Sequence, residues 1–394
     1  MASNIKTNIL LISLLGLVSI LNAQSPALAV ADSLYHLDDF SNAIQKYQEV
    51  TPKDQYILLQ IAKAHRAKGT YTDALSYYKK AITEYSSDAV TKYEYAKLLT
   101  TTRKFIKADS VYSILASDYP TNPNFQYRLG IAKKLLKDST SITYFKKAFS
   151  LDSTHQKSCF QISKYYLKKR NYDMVWETAN LGLHSYPENV ELISILGQNF
   201  LLRKDYYGAL PYFEKLLALN HKNEFVHSKL GLCYNQTNNF KEAIVHFTEA
   251  LKYNNKIPER YSMLAYAYQR TENYDKALEY YKTALSLKNL PIEEELFSIA
   301  LVYRFQEDWE KAIKYTKLSL NENPKYDRAQ YQLAMFADAY YKDPKIKLKY
   351  YNEYLTKFGQ DKKRRYFNNI IEKRIVQLEE EINTNTTKLR NNLN

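Results

Sequence analysis

The feature that most constrains this chain is a spacing. Leu230-Gly231, Tyr234, Asn239-Phe240, Ala243, Phe247 and Ala250 return one step onward as Leu264-Ala265, Tyr268, Asn273-Tyr274, Ala277, Tyr281 and Ala284. One step back they stand as Leu196-Gly197, Phe200, Asp205-Tyr206, Ala209, Phe213 and Leu216, and both steps are 34 residues. Within each set, apolar residues three, four and seven apart flank a polar turn. That predicts two short amphipathic helices meeting at an Asn/Asp-aromatic corner. One such pair cannot bury its apolar faces alone, so the units must stack.

Anchored on the residue that opens each second helix, the series runs Ala43, Ala74, Ala108, Ser141, Val175, Ala209, Ala243, Ala277, Ala312 and Ile346. Four residues later stands a large side chain in most units, among them Tyr47, Tyr78, Tyr112, Phe145, Phe213, Phe247, Tyr281 and Tyr350; Ala179 and Thr316 are exceptions. A second small site lies twelve residues before the anchor, as in Ala62, Ala96, Gly197, Gly231, Ala265, Ala300 and Ala334, with Gly130 in that role in the fourth unit. Small residues at both sites let helices approach, and the aromatic fills the gap that remains. Asp39, Asn171, Asp205, Asn239, Asn273 and Asp308 precede the corner aromatics, where a short polar side chain can accept from free N–H groups of the helix start.

The small, small, large pattern, the corner aromatics Phe40, Tyr71, Phe105, Tyr172, Tyr206, Phe240, Tyr274 and Trp309, and the closing prolines Pro120, Pro187 and Pro324 resemble the tetratricopeptide repeat (TPR) superfamily. The resemblance spans about residues 27 to 358. It implies an all-α, right-handed superhelical solenoid of about ten helical hairpins, taken here as residues 24–359. After Gly359, Phe367, Ile371, Ile375, Leu378 and Ile382 share one stripe, predicting a helix over 360–383 that covers the apolar end of the stack. Residues 384–394 carry no apolar period and read as a disordered tail.

Compartment is indicated at the other end. Lys6, an apolar run from Ile9 to Leu21 and then Asn22-Ala23-Gln24 read as a signal peptide over residues 1–23, cleaved near Ala23. The run is shorter than the ~20 residues needed to cross a bilayer, and no other segment is apolar enough to do so. The expected location is therefore exported, periplasmic or extracellular. Cys159 and Cys233 stand two repeats apart, on the order of 20 Å if helices stack ~8–10 Å apart, which reads as two buried thiols rather than a disulfide.

The chemistry-bearing residues do not assemble into a site. The 8 glycines are absorbed by the signal segment, turns and packing positions, leaving none for a phosphate-binding loop. The 7 histidines are scattered; His65 stands where neighbouring repeats have Tyr234 and Tyr268, and His221 and His227 straddle a turn without metal-site spacing. No catalytic, metal or cofactor set is found, and the expectation is a non-enzymatic protein.

What remains is surface. The resemblance implies an inner face built from the first helix of each unit. On this chain that stripe carries Lys63, Arg66, Lys97, Lys134, Lys164 and Lys168 in the early units. The later units contribute Gln198, Asn235, Tyr266, Gln269, Phe297, Arg304, Phe305 and Tyr331, with Phe297 and Phe305 expected to be exposed. The basic half reads either as a binding surface or as an ordinary solvated face; a formal net charge of +14 suits acidic partners in either case. The expected function is a scaffold binding a protein or peptide, with an acidic one suited to the charge, in a concave groove within the cell envelope. The alternatives are an anionic envelope polymer (glycan) binder and a TPR subunit of a secretion or outer-membrane assembly complex. Nucleic acid is not an expected partner, because the densest basic run, Lys362-Lys363-Arg364-Arg365, is short.

Overall fold

The structure is a computed structural model that describes residues 26–85, 88–289 and 291–391, with side chains through residue 385. The signal peptide expected over residues 1–23 lies outside the described residues. Among the described residues there are twenty-one α-helices, one short 3-10 turn and no strand, so the chain is the all-α repeat array that the spacing implies. The first twenty helices form ten hairpins, and within each of the chain's two compact units the helices pack chiefly on their neighbours in sequence. No helix among the described residues is long and apolar enough to cross a membrane.

The chain divides into two compact units, Met1–Leu192 and Ile193–Asn394. In the first, Ala43, Tyr47, Ile57 and Ile61 form one core segment. Ala74, Tyr78, Ala96, Ala108 and Tyr112 form the next, and Tyr127, Phe145, Ala148 and Ile162 a third. The fifth hairpin, with Ala179 where a large residue is usual, closes differently. A Cβ added at Gly182 would lie 2.6 Å from Cys159 Sγ and against Leu192, so these two side chains pack directly on the Gly182 backbone. Cys159 and Cys233 are both free and buried, and burial pushes their thiols up, to about 11 and about 12.

The second unit shows the small-into-aromatic packing most plainly. The rings of Phe213 and Phe247 sit against Gly197 and Gly231, where an added Cβ would meet them at 2.8 and 2.6 Å. The tenth hairpin departs from the expected register. Ile346, expected to be its buried anchor, is 38% exposed. One residue later, Lys347 pairs with Asp338 at 2.8 Å, and Tyr351 is buried more deeply than the expected ring Tyr350, which is buried as well. The helix here opens on Pro344, and its turn contains no left-handed residue, so the frame slips by one.

The other nine hairpin turns share one device. Each contains a single residue at positive φ: Asp38, Gly69, Arg103, Lys137, Arg170, Lys204, Asn238, Glu272 or Glu307. The next residue's N–H reaches back five positions to close the helix, as in Lys104 N to Leu99 O at 2.8 Å and Asp308 N to Tyr303 O at 2.9 Å. That is the Schellman closure, which satisfies carbonyls the helix end would otherwise leave free. In five of the nine turns the residue making it also caps the following helix with its side chain. Asp39, Asn171, Asp205, Asn273 and Asp308 all accept a backbone N–H three residues on. Asn239 does not cap in this way; its Nδ2 donates to Thr237 Oγ1 at 3.1 Å.

The final helix runs Arg365–Asn391 behind a 3-10 turn at Lys362–Arg364. It corrects the sequence reading of the tail, because the helix continues past Ile382, where its apolar stripe ends. Ile371 and Leu378 are fully buried in the core cluster of the last hairpins. Arg374 reaches Asp338 with Nε to Oδ2 at 2.7 Å and the second guanidinium nitrogen to Oδ1 at 3.1 Å.

Candidate binding surfaces

In the first unit the structure brings together only part of the basic stripe. Arg66 is ion-paired with Glu94, so its charge is neutralised within the fold. Lys63 is half-buried, while Lys97, Lys134, Lys164 and Lys168 are exposed. Lys134 donates to Gln161 Oε1 at 2.6 Å. Burial and then the neighbouring Lys164 hold its ammonium below the ordinary lysine value, which places two cations side by side on consecutive repeats. Lys164 also stands over the Phe160 ring at 5.7 Å.

In the second unit, the first helices of three successive hairpins, Glu224–Gln236, Pro258–Arg270 and Glu293–Phe305, contribute to an open recess of about 440 Å³. Asn235 and Tyr266 both line it. Asn235 is 8% exposed, and its Oδ1 has no hydrogen-bond partner among the described residues. An unmet acceptor in a buried amide is a cost that a ligand donor would remove. Glu295, at the recess floor, is satisfied instead by Lys288 at 2.9 Å and Ser262 at 3.0 Å.

Two expected groove residues are taken by the core. Phe297 is not exposed; it is 2% accessible because Tyr326, at the turn before the next hairpin, covers its ring edge-on at 5.3 Å. Gln269 is also buried, with Oε1 accepting from the Tyr281 hydroxyl at 3.2 Å. Tyr266 stays exposed and accepts from Arg270 at 2.8 Å. Phe305 is 47% exposed, stacked on Tyr274 at 5.9 Å, with Arg304 4.7 Å from its ring centroid. Gln198 is half-buried and bonds back to Ser194. Sequence reasoning missed Arg270, Arg328, Arg364 and Phe367. The last two come from beyond the repeats, where no period points to an inner face.

The histidines form no metal site; no group of three or more potential ligands occurs among the described residues. His65 stacks on Tyr77 at 5.4 Å and shares a hydrogen bond with Thr70, a packing role. His227 and His246 face each other with Nδ1 atoms 3.1 Å apart. His246 lies flat on Tyr234 at 5.4 Å, and His227 stacks on Tyr253. Burial holds both imidazoles below the ordinary histidine value, with each other's charge a further cause for His246; Lys222 and Lys252 act in the same direction on His227, and Glu214, Glu242 and Glu249 oppose. Because the folded state favours the neutral rings, their contribution to stability is present above about pH 6.5 and is lost as pH falls below it. A urea midpoint that drops between pH 7.5 and 5.5 in wild type, with a flatter profile in His246→Gln, is the expected result. An identical slope in the variant would remove the pair as its cause.

Stacked hairpins, locked by rings against small residues and offering one helix of each pair for contact, define a helical-repeat scaffold. Models of the tetratricopeptide repeat match residues 28–89, 226–257 and 258–289. The chain thus carries tetratricopeptide repeats over these stretches, which supports a protein–protein interaction scaffold. None of the curated proteins compared with the chain matches it. Among solved structures it is similar to the C-terminal part of a TPR repeat-containing protein from Cytophaga hutchinsonii, at 18% identity over 60% of this chain and 97% of that one, with a TM-score of 0.48. It is also similar to MamA, at 22% identity over 44% and 94% with a TM-score of 0.41. The yeast Tom70 is a third, at 14% identity over 90% and 96% with a TM-score of 0.39.

Proposed function

We propose that this chain is an exported, non-enzymatic scaffold that holds a partner protein or peptide on its first-helix face in the cell envelope. The observation that carries the reading is the recess on three consecutive first helices of the second unit, where the buried Asn235 amide keeps an unmet acceptor. Export rests on the signal-like residues 1–23. The test is capture from an envelope extract with the full chain, comparing wild type with Tyr266→Glu and with Lys97→Glu/Lys168→Glu. Loss of a stoichiometric partner from one variant is the expected outcome. The same partners in all three would reject the face, and a precursor that is never shortened near Ala23 would reject export.

The adjacent Lys134 and Lys164 favour a second reading, an anionic envelope glycan held by the first unit. Exposed cations lose most of their attraction when the Debye length shrinks toward ~3 Å in molar salt. Binding of a polyanionic glycan should then fall steeply with salt and with Lys134→Gln/Lys164→Gln. A fixed protein partner that persists at high salt favours the assembly-complex alternative.

A further inference from the structure

The last two hairpins and the terminal segment enclose a cleft that lies apart from the recess around Asn235. Its volume is about 250 Å³. A cavity of roughly 150 Å³ already admits a benzene ring, so this one has room for a single aromatic side chain and a polar neighbour. The walls are Phe297, Leu301, Phe305, Tyr331 and Phe367. Tyr331 and Phe367 meet edge-on at 4.9 Å, and Phe367 is 44% exposed. Phe305 is likewise exposed while Phe297 is buried, and exposed rings beside an apolar concavity mark a contact surface rather than a solvated face.

The charge at its rim is unbalanced. Three arginines, Arg304, Arg328 and Arg364, line the cleft with one carboxylate, Asp327. Arg364 takes that carboxylate in an ion pair and also bonds Asp361 at 2.8 Å. Arg304 and Arg328 make no ion pair among the described residues. Each lies over a ring instead, Arg304 at 4.7 Å from Phe305 and Arg328 at 5.8 Å from Phe297. A guanidinium over a ring can still present its N–H groups to a carboxylate. Two unclaimed guanidinium groups beside an apolar hole of this size are complementary to an aromatic residue with acidic neighbours.

We propose that this cleft binds an acidic peptide segment of the partner by one aromatic side chain, with the flanking carboxylate held by Arg304 and Arg328. The inference rests on the peptide-holding reading above and names the sequence class recognised. The aromatic ring supplies the buried anchor and the carboxylate fixes its orientation, the division of labour seen at interface hot spots. Phe367 and Arg364 belong to the terminal segment, so the site is complete only when the final helix is docked.

Fluorescence anisotropy on the full chain tests this with a fluorescein-labelled, end-blocked Gly/Ser peptide carrying Glu-Phe-Glu at its centre. Saturable binding is expected, weakening about tenfold or more when the probe's Phe becomes Ala or its Glu residues become Gln. Arg304→Gln/Arg328→Gln should produce a similar loss, and Leu301→Trp, which fills the hole without touching charge, should do the same. Equal binding of the Phe-to-Ala probe, or binding unchanged in both protein variants, overturns the proposal. So does N-acetyl-phenylalanine competing as well as the peptide, which would make the cleft a small-molecule site. Absence of probe binding while envelope capture still depends on Tyr266 defeats this inference and leaves the scaffold reading standing.

Discussion

Truncating Phe247 to alanine is expected to destabilise the second unit by about 3–5 kcal/mol, the range for deleting a buried ring. The ring is buried with Ala243, Leu264 and Ala267, flanked by Tyr234, Phe240 and Ile244. Its edge occupies the place of the Gly231 side chain, with a hypothetical Cβ 2.6 Å from Cδ1 and 2.7 Å from Cε1. In a stacked array each repeat contacts only its neighbours, so the loss stays local. The hairpins around Phe247 should open before the rest, seen as amide exchange that accelerates over residues 224–270 before global unfolding. A companion substitution isolates the contact. Gly231→Ala should cost about 1–3 kcal/mol in wild type by overpacking and much less in a Phe247→Leu background, where the ring edge is gone. Additive costs in urea denaturation would mean that the two positions are not coupled through this contact.

The same pair explains what could be read from the sequence. A small residue twelve positions before the anchor and a ring four after it are both consequences of one close approach, so they recur with the period and reveal the hairpins. Gly130 with Phe145 and Gly197 with Phe213 repeat the geometry. Burial imposed from outside a hairpin leaves no such trace. Phe297 stands where neighbouring repeats have Ser194, Ser228 and Ser262, and a single helix projection puts it on the free stripe. Only Tyr326, arriving with the following hairpin, covers it. Gln269 was misread for a different reason: it is held by the buried Tyr281 hydroxyl of its own hairpin, a polar contact that apolar spacing does not reveal. The left-handed turn residues are mostly charged, Arg103, Lys137 and Lys204 among them, so glycine marks just one of the nine Schellman closures, at Gly69. The cleft was half legible: Arg304, Phe305 and Tyr331 lie on repeat helices, while Arg364 and Phe367 enter from a segment with no repeat register.

Replacing Asp338 by asparagine should release the terminal helix, at a cost of about 2–4 kcal/mol, because it leaves charged groups with poor partners in a mostly covered site. Arg374, Lys347 and the Tyr351 hydroxyl all converge on this one carboxylate, the last at 2.7 Å. Burial by itself would raise the Asp338 carboxyl, but hydrogen bonds from Arg374, Lys347 and Tyr351 outweigh it and hold the group well below the usual carboxylate range. A depressed folded-state value means that the contribution is complete above about pH 4, near the unfolded carboxylate's own value, and fades only as pH falls toward the folded one. Wild type should therefore keep amide protection over residues 365–385 at pH 5, whereas Asp338→Asn should lose it even at pH 7. Arg374→Lys should rescue little, since an ammonium cannot span both oxygens as the guanidinium does. Equal protection in Asp338→Asn would show that Ile371 and Leu378 hold the helix without the charge cluster. Because Phe367 and Arg364 wall the aromatic cleft from this same terminal segment, the Asp338 variant should also weaken the Glu-Phe-Glu probe, although Asp338 does not line the cleft.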